Sequence, residues 1–158
     1  MKRKILGVLL GALLLAFCGP ADAQTQKKIP RIGYLTVRAG LSDRDEAFRQ
    51  GLRDLGYVEG KNIIVERRFA NGTDRLVEMA AELARLNLDV FVGEATPAVQ
   101  ALKNATVTAP IVMAAAADPV GSGLVASLAQ PGGNVTGMSL ILPELAGKRL
   151  ELLREVLA

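Results

Sequence analysis

The chain has 158 residues, half of them hydrophobic, with 19 Lys+Arg against 16 Asp+Glu, enough for one domain with a sizeable core. Lys2, Arg3 and Lys4 carry most of the positive excess; beyond Ala23 the balance is 16 against 15, which removes the electrostatic case for a nucleic-acid partner. There is no histidine, the usual general base and the commonest zinc ligand, so no metal or other cofactor is expected.

The first 23 residues read as a signal peptide. Lys2 to Lys4 form a positive n-region, Ile5 to Phe17 an apolar core and Ala21-Asp22-Ala23 a small-x-small cleavage site. Thirteen apolar residues fall short of the roughly 20 that a permanent membrane helix needs. The mature chain is then expected to start at Gln24 and to be periplasmic. Leu15-Ala16-Phe17-Cys18 also approaches a lipoprotein signal, but Phe17 is bulky where a small residue is required. With cleavage after Ala23, Cys18 leaves and no thiol remains.

Arg31 to Thr36 is a first β-like run. Ser42 or Asp43 caps a helix with the stripe Phe48, Leu52, Leu55, stopped by Gly56. Asn62 to Phe69 is a second strand, in which Arg67-Arg68 reads as a solvated face. After the Asn71-Gly72 turn, Thr73 can cap a helix carrying Leu76, Ala80, Leu83 and Leu86. Asp89 to Gly93 is the third strand, and Thr96-Pro97 opens a helix in cap-then-proline order. Ile111 to Ala115 is the fourth strand, Val120 to Leu128 a fourth helix capped by Asp118, and Asn134 to Leu140 the fifth strand. Pro143 to Ala158 is a last helix with Ala146, Leu150, Leu153 and Leu157 on one face; it either docks on the domain or leads toward an absent second lobe.

Strands alternating with helices predict an α/β fold, a parallel sheet covered by helices on both faces, in strand order 2-1-3-4-5. Ligands bind such sheets at the carboxyl ends of the strands. Thr36, Thr96 and Asp118 fall at those ends, and Thr96 lies where helical N–H groups favour an anion. The lone acids Glu66 and Glu94 have no paired acid at an interpretable spacing, and Gly121-Ser122-Gly123 completes no dinucleotide-binding or nucleophile motif.

From Ile29 onward the chain resembles the amino-terminal half of ABC transporter substrate-binding proteins with a type I periplasmic binding protein fold, the group that includes tryptophan and tyrosine binders. The matching strings are Arg31-Ile-Gly-Tyr-Leu, Ala47-Phe-Arg-Gln-Gly-Leu-Arg-Asp-Leu-Gly-Tyr-Val-Glu-Gly-Lys-Asn62, Ala80-Ala-Glu-Leu-Ala-Arg-Leu86, Asp118-Pro-Val-Gly-Ser-Gly through Val-Thr-Gly137, and Lys148-Arg-Leu-Glu-Leu-Leu-Arg-Glu155. The resemblance implies a non-enzymatic receptor that clamps a small molecule between two lobes and delivers it to an inner-membrane ABC permease. It implies that residues 24–142 form one lobe and 143–158 lead toward the other. Thr96 with Ala98 would hold the acid group of the ligand, Asp118 its amine, and Thr36 in its loop would reach it. The alternatives are a truncated, non-binding fragment or one-lobe interaction module, and an exported flavodoxin-like enzyme, against which stand the missing His and phosphate loop and the lack of any Cys beyond Ala23.

Overall fold

The computed structural model describes residues 28–140 and 142–157; the signal segment and Cys18 lie outside them. In chain order the elements are β1 (Arg31–Thr36), α1 (Asp43–Asp54), β2 (Ile64–Phe69), α2 (Leu76–Ala84), β3 (Val90–Glu94), α3 (Thr96–Ala105), β4 (Ile111–Ala117), β5 (Val135–Leu140) and α4 (Leu142–Leu157). The five strands are all parallel, in the order β2-β1-β3-β4-β5. The α/β architecture and the strand order are those the alternation of elements predicts.

Two apolar clusters lie on opposite faces of the sheet. Leu35, Phe91, Ile111, Met113 and Val135 pack with Leu76, Met79, Ala80 and Leu83 of α2 and Ala98, Val99 and Leu102 of α3. On the other face Ile32, Tyr34 and Val92 pack against half-buried Phe48 and Leu52 of α1. Burial on both sides explains why the central strands read as nearly unbroken apolar runs. Gly93 lets β3 approach α3 closely, since a Cβ there would lie 2.7 Å from Val99 Cγ2 and 3.0 Å from its Cα.

Several expected details differ. The segment after β4 is not a helix over Val120 to Leu128 but a single turn. Gly123, at φ +71°, donates to Val120 O while Leu124 N–H reaches back to Pro119 O, the bond pair of a Schellman ending. Gly121, Ser122 and Gly123 have too little helix propensity to carry the turn further, and Lys103 Nζ of α3 caps the freed Gly123 carbonyl at 2.6 Å. Leu124 and Val125 still enter the core. α2 starts at Leu76 after Arg75, which makes no side-chain cap, so Thr73 does not cap it. Leu55 lies just beyond α1 and is exposed. Arg67 and Arg68 do not form a solvated face: Arg67, its side chain only 11% exposed, pairs with Glu59, and Arg68 meets Glu82 at 3.0 Å. In α4, residues 145–157 are exposed throughout, so its stripe does not dock on the sheet.

Gly93→Ala is expected to destabilise the chain by about 1–3 kcal/mol, because the backbone of α3 must yield. Gly51→Ala, on the exposed face of α1 with nothing within 4 Å of the new methyl, is expected to be neutral or stabilising by up to about 1 kcal/mol. Urea unfolding of both variants checks the contrast.

Candidate functional site

β1 and β3 lie side by side in the sheet, yet α1 leaves β1 over one face while α2 leads into β3 over the other. In an open α/β sheet that reversal opens a crevice at the carboxyl edge. Here the register sets Thr36 of β1 beside Glu94 of β3. Tyr34, Thr36 and Glu94 share the face covered by α1, since alternate strand residues point the same way.

Arg38, in the loop after β1, ties this edge together. Its Nε donates to Glu94 Oε2 at 2.9 Å, and its Nη1 donates to Asp45 Oδ2 at 2.7 Å, to Ser42 Oγ at 2.8 Å and to the Gly40 carbonyl at 2.8 Å. Its guanidinium lies 5.8 Å from the Phe69 ring centroid. Asp45 also accepts from Ser42 N–H at 2.8 Å, so the acid that closes the capping box of α1 is the acid that anchors Arg38. Glu94 Oε2 accepts the Tyr34 hydroxyl at 3.0 Å as well, and Oε1 accepts Arg44 Nη1 at 2.6 Å. The side chains of Glu94 and Asp45 are 5% and 2% exposed.

Burial pushes the Glu94 carboxyl up, but the hydrogen bonds from Arg44 and Arg38 outweigh it and hold the group below its ordinary value. For Asp45, burial is again outweighed, by the Arg38 bond and the Ser42 N–H. Tyr34 is pushed up to about 12 by burial and by the charge of Glu94.

These groups line an open cavity of about 450 Å³. Tyr34, Arg38, Arg44 and Glu94 supply its polar wall, and Phe48, Ala47, Ala114 and Leu140 its apolar one. Tyr34 and Phe48 stack at a 55° tilt with centroids 5.4 Å apart. The arrangement suits a small ligand with an apolar body and a charged end. Among the described residues no group of His, Cys, Asp and Glu is placed to hold a metal ion.

Thr36, Thr96, Ala98 and Asp118 do not line this cavity; Val37 and Ala95, the chain neighbours of Thr36 and Thr96, do. Thr36 is fully buried, and its Oγ1 accepts Arg38 N–H at 3.2 Å. The Thr96 hydroxyl donates to Ala117 O at 2.9 Å and accepts Ala117 N–H at 3.0 Å, tying the start of α3 to the end of β4. Thr96 is not the cap; Ala95 holds that position, at φ +75°. The Ala98 side chain is buried in the core, while its N–H and that of Thr96 belong to the first turn of α3, where no helical carbonyl is available. Asp118 is exposed at φ +41° and caps the turn after β4, its Oδ1 accepting Gly121 N–H at 2.8 Å. Thr96 and Asp118 thus come together through Ala117, and Thr36 joins the Arg38–Glu94 cluster. Sequence reasoning missed Glu94 and Arg44. The available signal was a lone acid ending the apolar run Val90-Phe-Val-Gly-Glu94, on the same strand face as Val90 and Val92.

Residues 37–158 match the family described as ABC transporter substrate binding protein. The chain belongs to that family. A tyrosine-binding protein of Clostridioides difficile is 37% identical over 134 residues, 84% of this chain and 38% of the relative, so the chain spans about two fifths of that curated relative's length. A conserved domain protein from Vibrio cholerae superimposes with a TM-score of 0.72 at 40% identity, over 82% of this chain and 44% of that one. An ABC domain in complex with L-Trp from Streptococcus pneumonia gives 0.65 at 34% identity, over 71% and 39%. The ligand-free, open structure of a substrate-binding protein with adhesive properties from Clostridium difficile gives 0.70 at 32%, over 80% and 43%. The family, the tyrosine-binding relative and the adhesive Clostridium difficile protein are substrate-binding proteins, not enzymes.

Both buried carboxylates have folded-state pKa values below their ordinary 4.5 and 3.8. Their contribution to stability is therefore present at neutral pH and is lost as pH falls through the folded values. Tyr34 titrates above its ordinary 10.0; its contribution is present below that value and is lost as pH rises from 10.0 toward about 12. Urea midpoints across pH are expected to fall at both ends. Arg38→Met, which strands Asp45 and Glu94, is expected to cost about 3–5 kcal/mol at neutral pH.

Proposed function

We propose that this chain is one lobe of an extracytoplasmic receptor that binds a small amino acid-like ligand and serves an ABC-type importer. The observation that carries the reading is the charged, aromatic-floored cavity at the β1/β3 crevice of a chain in the substrate-binding family. Relatives named for tyrosine binding and seen with L-Trp support an aromatic amino acid as the ligand. The ligand carboxylate meets the free N–H groups of Thr96 and Ala98, where the α3 dipole favours an anion. Its ammonium meets Asp118, and its apolar body lies toward Phe48 and Ala114. Thr36 acts through Arg38, which it holds at the backbone. Residues 143–158 lead toward a second lobe that closes the cleft, and an inner-membrane permease receives the ligand.

Export is part of the same reading: residues 1–23 direct the chain across the inner membrane, and the periplasmic form begins at Gln24. No helix among the described residues is long and apolar enough to cross a membrane. Intact-mass analysis of the protein from a periplasmic extract is expected to show an unmodified Gln24 start; a diacylated Cys18 start would replace soluble export with lipid anchoring.

The chain has no tryptophan, so added L-tryptophan reports its own environment. A saturable change in its fluorescence is expected, with amide NMR shifts concentrated at 94–98, at Asp118 and around Tyr34. Shifts confined to other surfaces, or no shift with either aromatic amino acid, would overturn the assignment.

A further inference from the structure

The two oxygens of Glu94 are held in unequal ways. Oε2 accepts Tyr34 of β1 and Arg38 Nε, and Arg38 is itself fixed by Asp45, Ser42 and the Gly40 carbonyl. Oε1 accepts Arg44 Nη1 at 2.6 Å, from a side chain that is 71% exposed on the first turn of α1. An ion pair to so exposed an arginine contributes little net stability, because solvent screens it and the long side chain loses rotamer freedom. The carboxylate, by contrast, is buried and cannot be left without a partner.

We infer that the Arg44–Glu94 pair is a placeholder: Glu94 Oε1 is the acceptor for the ammonium of a zwitterionic ligand, and Arg44 leaves it as the ligand enters. This rests on the receptor reading above and adds to it the group that selects a cation. Charge balance decides the ligand class. Arg38 and Arg44 neutralise Asp45 and Glu94 as a set; an ammonium in place of Arg44 preserves that neutrality, whereas a neutral donor would leave two buried carboxylates with one guanidinium. Glu94 and Arg44 both line the cavity, so the exchange takes place where the ligand sits. Glu94 is also two residues before Thr96, which sets the ammonium acceptor close to the N–H groups proposed for the carboxylate. Asp118 takes a second of the three ammonium donors. The released Arg44 stays at the mouth of the cavity, free to meet the ligand carboxylate.

The test uses the full chain and three probes followed by NMR titration: L-tryptophan, tryptamine without the carboxylate, and indole-3-propionate without the amine. Glu94→Gln is expected to weaken L-tryptophan and tryptamine by about tenfold or more while leaving indole-3-propionate within about twofold. Arg44→Ala, a surface change that tests the exchange independently of whether Glu94→Gln folds, is expected to tighten tryptamine severalfold by removing its competitor. Equal weakening of all three probes by Glu94→Gln, or tryptamine binding unchanged or weakened by Arg44→Ala, overturns the exchange and leaves the receptor reading standing. No response of the unaltered chain to any probe up to about 10 mM overturns both.

Discussion

The carboxyl edge of this sheet depends on one guanidinium, Arg38, held between two buried carboxylates from different elements. Glu94 comes from the end of β3, Asp45 from the first turn of α1, and the loop that carries Arg38 leaves β1. α1 needs this anchor. Asp45 is the one fully buried residue α1 contributes, whereas α2 and α3 each bury four apolar residues. Phe48 and Leu52 reach the sheet only as half-buried contacts. In a low-dielectric site such a network is strong when every member is matched and costly when one is removed.

The location of the network follows from topology. Where α1 and α2 lie over opposite faces, no helix among the described residues fills the space above the ends of β1 and β3, and a crevice remains. Apolar side chains would collapse into that space. Paired charges keep it open while fixing its walls, because each long side chain is committed to a partner on another element. The opposite face has no such demand: α2 and α3 close it with Leu83, Val99 and Leu102 at zero exposure. One side of the sheet thus supplies rigidity, and the other presents a shaped, charged surface backed by it.

The legible parts of the sequence were those with a strong local cause. Five short apolar runs alternating with amphipathic segments predict the parallel sheet and its order, since right-handed crossovers admit few arrangements. The misreadings came from competing local signals. Asp118-Pro119 looks like the start of a helix but opens only a turn, which Gly121 and Gly123 end, while Leu124 and Val125 still supply the core side chains that a helix would have brought. Thr96 before Pro97 looks like a cap, yet its hydroxyl is committed to Ala117 on another strand, a bond that no local pattern contains. The same limit hid the site. Glu94 appeared as an isolated acid because its partners Tyr34, Arg38 and Arg44 lie 50 to 60 residues away in the chain.

By itself the sequence determined the class of fold, the strand order and, through long matching strings, the family. Those properties depend on periodicity and on short-range steric rules that each segment carries with it. Which side chains face one another across the carboxyl edge was decided by the tertiary structure. Parallel register sets Thr36 against Glu94, and the docking of α1 delivers Asp45 and Arg44 to the same carboxylate cluster. A buried charge has a role only through its partners, and those partners become neighbours when the sheet closes.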